Sequence, residues 1–490
     1  MAPETTGFPN VPRRDLAWSA AVVSALLSMI VYALTLIPEV GWGDSAEFAL
    51  QASQLGVTHG PGYPVHTFLG KLFAEVLADP AFGTNLLSAV CTSISVGLFN
   101  LICFELTGSW YAGVVSGFIY ALLPRIWEMA VVAEVYNVNV CVFALVLFLV
   151  ILQRRRTSML LLCASAIAFG VSLGAYLANL LLMPGLVYMA ACRRSNWLSA
   201  GILFVSLASV VGAVVLSWSY FRVDDCTPLG TMYLPDSVPS FVSYLLGSQH
   251  GTTMVHPLGF YLGRIAEHAR IFSGTFLWVG VLMGVWGIGC LWRRDWRTCL
   301  GLLAVVLADM AFFTSYMPFD YYTMVAPSYL VFALWIACCV AFAASRRRGV
   351  AVVATSVVLP IGLVVGLLAT QWTSHRARSQ QSPVTDFVLS SFKLFDPKAL
   401  VIADWPEFPA LLYFQKIHDF RQDLTLIERS EQPRHYTFGV VADWRSALYA
   451  ASATRPVYAS QCEDHLAECC YKVTRANPHW FSFERVPRQR

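Results

Sequence analysis

Leu, Val, Ala and Ile recur along this chain in long unbroken runs, not at the spacing of an amphipathic helix or strand, and polar residues collect between the runs. A run of about 20 apolar residues matches the hydrocarbon thickness of a bilayer. The pattern therefore predicts an α-helical polytopic membrane protein. The runs lie at residues 16–37, 84–106, 110–126, 135–152, 158–174, 176–192, 197–217, 272–292, 298–315, 322–344 and 350–371, about eleven spans by length. The first could pass for a secretion signal, but it is long and no small-residue cleavage site follows, so it reads as a retained span. The fifth and sixth share one apolar stretch, divided at Gly170, Gly174 and Asn179.

Beyond residue 371 the pattern changes. KALVIAD reads as a buried strand, PEFPALLYFQKIHDF as an amphipathic helix opened by proline, and DLTLIE as a second strand. VVADWRSALYAAS and RPVYAS repeat that order. Strands alternating with helices predict a small α/β domain with a parallel sheet and right-handed crossovers. Two domains follow: a membrane domain over 1–371 and an extracytoplasmic α/β domain over 372–490.

Charge fixes the expected topology. Basic residues gather in nearly every second loop: Arg13 and Arg14, Arg154 to Arg156, Arg193 and Arg194, Arg293 with Arg294 and Arg297, and Arg346 to Arg348. Cytoplasmic loops carry such an excess. The N-terminus is then cytoplasmic, and residues 38–83, 127–134, 218–271, 316–321 and the tail lie outside. Merging the fifth and sixth spans would put one cluster on the wrong face. The net charge is only +3, and its placement speaks of topology and not of nucleic acid. Most of the 13 cysteines lie inside apolar runs as small hydrophobes. Cys462, Cys469 and Cys470 lie in the polar tail, where a disulfide and free thiols are both open.

With 57% hydrophobic and 13% charged residues, charge beside a span calls for a reason. Residues 41–64, GWGDSAEFALQASQLGVTHGPGYP, carry Asp44, Glu47 and His59. Asp44 and Glu47 share a helix face if this stretch is helical, with Asp44 in the first turn, and such a helix suits the membrane interface. Asp44 then either caps the helix or serves as a general base that takes a hydroxyl proton in an inverting sugar transfer. His59 heads a Gly- and Pro-rich turn with bare N–H groups, suited to a phosphate or simply to re-entering the membrane. A metal site of Asp44, Glu47 and His59 lacks a convincing ligand set, so no metal and no cofactor is expected. Glu134, Tyr136 and Asn137 open the fourth span in AEVYNVN, where Glu134 and Asn137 would share a face toward the first loop, although an acid at a helix N-terminus is also cheap on its own. The long loop offers Arg222, Asp224, Asp225 and QHGTTMVH, then Arg264 and His268, four apart. Arg264 and His268 form either a phosphate-gripping face or a solvated one. Asp320 reads as an ordinary loop residue.

GDSAEF, LGVTHGPGYP, NLLSAV and AEVYNVN resemble the transmembrane protein 260-like family, eukaryotic protein O-mannosyltransferases and bacterial relatives. GVSLGAYLANLLLMPGL and FPALLYFQKIHDFRQDLTLIE extend the resemblance over most of the chain. It implies a GT-C glycosyltransferase fold and a polyprenyl-phosphate sugar donor. It also implies Asp44 as catalytic carboxylate with Glu47 beside it, and His59 and Tyr63 within a His-Pro-Pro-Gly-Tyr-Pro signature. Here Gly60 replaces the first proline of that signature, and Tyr176 stands where many relatives have histidine. The long helical-repeat tail of animal members is not seen, so acceptor recognition need not be the same.

The resulting expectation is an integral membrane glycosyltransferase with Asp44 and Glu47 catalytic. His59, Tyr63, Glu134, Tyr136, Asn137, Arg264 and His268 would bind substrate. It moves a sugar, mannose by resemblance, from a lipid-linked donor to a hydroxyl of protein Ser/Thr or glycan, on the lumenal face of the endoplasmic reticulum or the outer face of a bacterial membrane. The rival readings are a transporter or lipid flippase, disfavoured by the lack of duplicated halves, and a non-catalytic assembly protein.

Overall fold

The computed structural model describes residues 14–77, 79–222, 237–246, 256–316, 321–346, 349–429, 444–461 and 471–485. Arg13, Asp224, Asp225, Asp320, Arg347, Arg348, Cys462, Cys469, Cys470 and most of QHGTTMVH fall outside them.

The first membrane helix, α1 (Arg14–Thr35), leads to two short helices at its far end, α2 (Asp44–Gln54) and α3 (Pro64–Val76). The chain returns through α4 (Pro80–Thr107), α5 (Trp110–Ala121) with α6 (Pro124–Ala130), α7 (Val135–Arg156) and α8 (Met159–Ala175). A 3-10 turn, Leu177–Leu182, precedes α9 (Met183–Ala191) and α10 (Trp197–Phe221). Then come α11 (Val238–Leu245), α12 (Leu258–Ser315), α13 (Tyr321–Met324), α14 (Ala326–Ala344), α15 (Val350–Val353) and, after a π-helical turn, α16 (Leu359–Arg378). Among the described residues, 7 helical stretches are long and apolar enough to cross a membrane, and α8 and the 177–191 stretch are shorter apolar ones.

Each expected span lies on helix, and the exceptions to regularity have local causes. Residues 110–126 bend at Leu122 and Leu123, where Pro124 cannot continue the hydrogen-bond ladder. The divided fifth and sixth spans part at Tyr176, whose backbone is extended. Non-helical backbone at Leu277 and Asp295 breaks α12 into three arms. The last two are antiparallel neighbours, with the Cys299 thiol 3.7 Å from the Ile288 carbonyl. The first arm is a correction: the expected outer loop 218–271 contains α11 and the start of α12.

The basic clusters meet at one end. Arg154 pairs with Asp295 at 2.6 Å, Arg193 reaches the same carboxylate at 3.9 Å, and Arg155 and Arg14 reach Glu105 at 3.2 and 3.9 Å. At 1.5 Å rise per residue, α7 carries the chain about 30 Å from Glu134 to this cluster.

The α/β domain follows α17 (Pro383–Leu394) and holds β1 (Leu400–Ala403), α18 (Phe408–Ile417), β2 (Thr425–Glu428), α19 (Trp444–Ala451), β3 (Val457–Ala459), β4 (Tyr471–Arg475) and β5 (Phe481–Arg485). The sheet order is β2-β1-β3-β5-β4. The three expected strands pair in parallel, but β5 runs antiparallel to β3 and to β4. The sheet is therefore mixed, not parallel as expected. The added hairpin turns at ANPH, where the Asn477 carboxamide oxygen accepts from the backbone N–H groups of His479 and Trp480, both at 2.8 Å.

This domain is seated on the first loop. Val40, Ala46, Ala49, Leu50 and Ala81 share one apolar core with Val388, Phe392, Val401, Leu411, Tyr413 and Trp480. Glu39 accepts at the start of α17 from the backbone N–H groups of Val384 and Thr385, at 3.2 and 3.1 Å, which satisfies a helix N-terminus. The Asp79 carboxylate caps α4 and accepts from the Tyr413 hydroxyl at 3.0 Å.

Candidate active site

The helix α2 does not float at the interface. Its first turn is held by the Ser45 hydroxyl, which donates to the Ala133 carbonyl at 2.8 Å. Its C-terminus is held by Arg222, whose guanidinium donates to the Leu55 and Gln54 carbonyls at 3.1 and 3.5 Å. A cation on the last carbonyls of a helix meets the negative end of its dipole. Gly43, which precedes the helix, has φ +54° and donates its N–H to the Pro406 carbonyl at 3.1 Å. A positive φ of this kind favours glycine. Asp44 thereby emerges where the first loop meets the α/β domain.

Asp44, Glu47 and His59 converge. One ligand atom from each lies within 4.8 Å of the others, the donor set among the described residues that could hold a divalent cation. Glu47 is 4% exposed and binds His59 twice. Its carboxylate accepts the His59 backbone N–H at 2.7 Å, and its other oxygen lies 2.5 Å from the His59 Nδ1. Burial opposes a charged His59, but the carboxylates of Glu47, Asp44 and Glu134 outweigh it and hold the imidazole up at about 9. Burial likewise pushes Glu47 above the usual carboxylate range, against the pull of His59.

Asp44 makes a different contact. The indole Nε1–H of Trp405, from the loop after β1, donates to Asp44 Oδ1 at 2.6 Å. Among the described residues the second oxygen, Oδ2, accepts no hydrogen bond. The Trp405 ring also stands edge-on to His59, with centroids 6.1 Å apart. A second residue of this domain, Glu428 at the end of β2, faces the cluster. Burial first, and then the charges of Glu47 and Asp404, push its carboxyl up to about 8.

The aromatic wall is formed by Phe48, Tyr63, Tyr136 and Tyr176. Tyr63 meets Phe48 edge-on at 5.7 Å and stacks parallel to Tyr176 at 6.3 Å, while Tyr136 meets Tyr176 edge-on at 5.6 Å. Tyr176, the position that departs from the resembled family, is therefore part of this wall. Burial, then the neighbouring Tyr176 and Asp44, raises the Tyr63 hydroxyl well above its ordinary value. His66, on α3, lies 5.1 Å from Phe48, and burial alone lowers it to about 4. The turn between α2 and α3 bends at Gly62, φ +73°, where a Cβ would stand 2.6 Å from the Tyr244 hydroxyl. That hydroxyl donates to the Thr58 carbonyl at 2.7 Å.

The structure thus brings Asp44, Glu47, His59, Tyr63, Glu134 and Tyr136 together; Asn137 is taken up in helix packing, and Arg264 contacts Tyr316, which is near enough to Tyr63 to act on its hydroxyl. Asn137 is 1% exposed; its amide donates to the Met129 carbonyl at 2.5 Å and accepts from Thr92 at 2.9 Å. It ties α4 to α7 and does not share a face with Glu134 toward the loop. Arg264 donates to the Tyr316 carbonyl and to Glu267, both at 3.2 Å, and lies over the Tyr321 ring at 3.9 Å, while its Nε is buried with no hydrogen-bond partner among the described residues. His268 stands edge-on to the same ring at 4.9 Å.

Trp405, Glu428 and Asn85 escaped the sequence reading. Asn85, in NLLSAV, donates to the Ile37 and Glu39 carbonyls at 2.8 and 2.9 Å and accepts from the Ala133 N–H at 2.7 Å. A buried amide inside an apolar run was its available signal. Trp405 and Glu428 had none, because nothing local to their strands links them to residue 44.

A helical membrane domain with an acidic first loop, topped by a small α/β domain, defines a GT-C glycosyltransferase-like fold. Two crystal structures of ArnT from Cupriavidus metallidurans share it, each at TM-score 0.64. The one bound to undecaprenyl phosphate is 13% identical, covering 96% of this chain and 99% of that one. The apo one is 15% identical, covering 96% and 98%. Residues 44–199 match the family described as protein O-mannosyl-transferase TMEM260 N-terminal domain, so the transmembrane protein 260-like family indicated by the motifs is supported over that region. The chain is 30% identical to "Protein O-mannosyl-transferase tmem260" of Dictyostelium discoideum over 135 residues, 26% of this chain and 16% of that protein. It is 24% identical to the Mus musculus protein of that name over 297 residues, 58% of this chain and 42% of that protein. The matches therefore span less than half the length of these relatives.

Proposed function

We propose that this chain is an integral membrane glycosyltransferase that moves a sugar, mannose in our reading, from a polyprenyl-phosphate donor to a hydroxyl of protein Ser/Thr or glycan. The observation that carries the reading is Asp44 Oδ1 fixed by Trp405 beside a buried Glu47–His59 pair, on a fold shared with ArnT. The undecaprenyl phosphate bound to one ArnT structure supports a lipid-phosphate donor, and the mannosyl-transferase names of the relatives support the sugar and a protein acceptor.

The transfer is one inverting displacement. The acceptor oxygen attacks the anomeric carbon, its proton passes to Asp44 Oδ2, and the bond from that carbon to the lipid phosphate breaks. With a proton affinity near 9, His59 is imidazolium at neutral pH. It balances the carboxylates and offers positive charge to the departing phosphate. Arg264, whose Nε is buried without a hydrogen-bond partner among the described residues, is a second cation for that role. The aromatic wall gives a sugar ring apolar faces to lie on.

The test is transfer of radiolabelled mannose from a mannosyl lipid by the purified chain in liposomes. Asp44→Asn, folded by thermal melt, is expected to lose about 100-fold or more, the usual worth of a positioned base. A chelator should leave the native rate unchanged. Full activity in Asp44→Asn sinks the assignment of the base; movement of the lipid across the bilayer without transfer supports a flippase instead.

A further inference from the structure

About 30 Å along α7 from the Asp44 cluster, the membrane domain has a second built feature. A cavity of about 360 Å³ is lined by Arg154, Arg155, Arg193, Arg294, Asp295 and apolar Leu106, Ile151 and Leu291. Asp295 and Glu105 are the carboxylates that pair with these arginines, so four positive charges meet two negative ones. Arg154 is 3% exposed and its guanidinium donates to both Asp295 oxygens and to Thr298. Arg294 donates to the Thr107 carbonyl at 3.2 Å, which holds its head at the cavity with the end of α4.

Against this cavity lies an apolar groove of about 790 Å³ between α9 and α10, lined by Val187, Trp197, Ile202, Val205 and Trp296 among others. The two share a wall. Arg154 of the first donates to the Cys192 thiol of the second at 2.6 Å, and Asp295 and Trp296 are consecutive. Trp197, Trp292 and Trp296 are exposed around this end, as in the aromatic belt at a membrane–water boundary. The groove therefore opens toward lipid at headgroup depth.

We propose that this face binds an acidic phospholipid, with its phosphate in the arginine cavity and an acyl chain along the groove. Charge complementarity chooses the occupant. The surplus of positive charge suits an anionic headgroup and offers nothing to a choline group, and arginine grips phosphate oxygens with paired N–H bonds. The apolar groove beside it has a use for a lipid and none for a free anion.

The experiment is native mass spectrometry of the full chain released from nanodiscs of equal phosphatidylglycerol and phosphatidylcholine. Phosphatidylglycerol should be retained roughly tenfold over phosphatidylcholine, and Arg193→Gln with Arg294→Gln should abolish that preference. Gly201→Leu, whose Cβ meets Val187 at 3.5 Å, fills the groove and should reduce retained lipid while leaving the arginines in place. Equal retention of the two lipids by the native chain overturns the proposal, whether or not the double variant folds. So does a Gly201→Leu chain that retains phosphatidylglycerol fully, or one in which inorganic phosphate displaces the lipid as readily as phosphatidylglycerol does.

Discussion

Asp44 is held by an indole from a domain more than 350 residues away in sequence, |i−j| = 361. A charge-assisted hydrogen bond of this kind contributes roughly 1.5–3 kcal/mol. Trp405→Phe keeps an aromatic ring and removes the donor, so transfer should fall about tenfold or more and the melting temperature by several degrees, as steady-state assays and thermal melts of the purified variant would show. A wild-type rate in that variant would mean that the contact only supports packing. The Glu47–His59 pair and Glu428 bring a pH dependence. The His59 imidazole rises from 6.5 to about 9 on folding, and the Glu428 carboxyl from 4.5 to about 8. A group whose affinity for protons is raised by folding stabilises fully below its unfolded value and loses that contribution as pH climbs through its folded one. The protein should therefore melt at progressively lower temperature as pH rises from about 4.5 to about 9, first through Glu428 and then through His59, and transfer should decline through about 9 as His59 is neutralised. Melting curves of His59→Gln with Glu428→Gln should be flatter over that window; an unaltered slope removes these groups as its cause.

Among the elements, α2 and the segment before α7 are positioned by side chains that look unremarkable in the sequence. Asn85 joins the end of α1 to residue 133 through three hydrogen bonds. At about 1 kcal/mol for each, Asn85→Ala should cost roughly 3 kcal/mol and lower both melting temperature and transfer. Thermal denaturation followed by fluorescence checks this, and a loss below about 1 kcal/mol would show that water takes over its bonds. The spans were legible because each apolar run is itself long enough to cross lipid, and Pro124 marks a bend by its own chemistry. The hairpin of β4 and β5 was not, although YKVTR and FSFER alternate apolar and polar residues, because the strands are short and their pairing with β3 is made at a distance. Asn137 misled for a similar reason. A polar residue two positions after the helix's first residue looks as though it faces the loop, but its direction is decided by Met129 and Thr92.

On the scale of the whole molecule, the Arg clusters at one end and the Asp44 site with the α/β domain at the other make a polarised protein. Positive residues are retained on the cytoplasmic side, so we expect the α/β domain outside. Lys416→Cys, on α18, should react with a membrane-impermeant maleimide in sealed, right-side-out vesicles, and Arg155→Cys only after they are opened. The reverse pattern would put the candidate site in the cytosol. The sequence alone determined the class of this protein, its runs of lipid-soluble helix, the polarity of its charge and the acidic first loop, because each of these is a local property of composition and spacing. Tertiary structure alone decided that Trp405 and Glu428 complete the Asp44 cluster, that Asn137 turns into the packing of α4 and α7, and that arginines from separate loops enclose one cavity. Those outcomes depend on contacts between segments hundreds of residues apart, which hydrophobic burial brings together and no local pattern encodes.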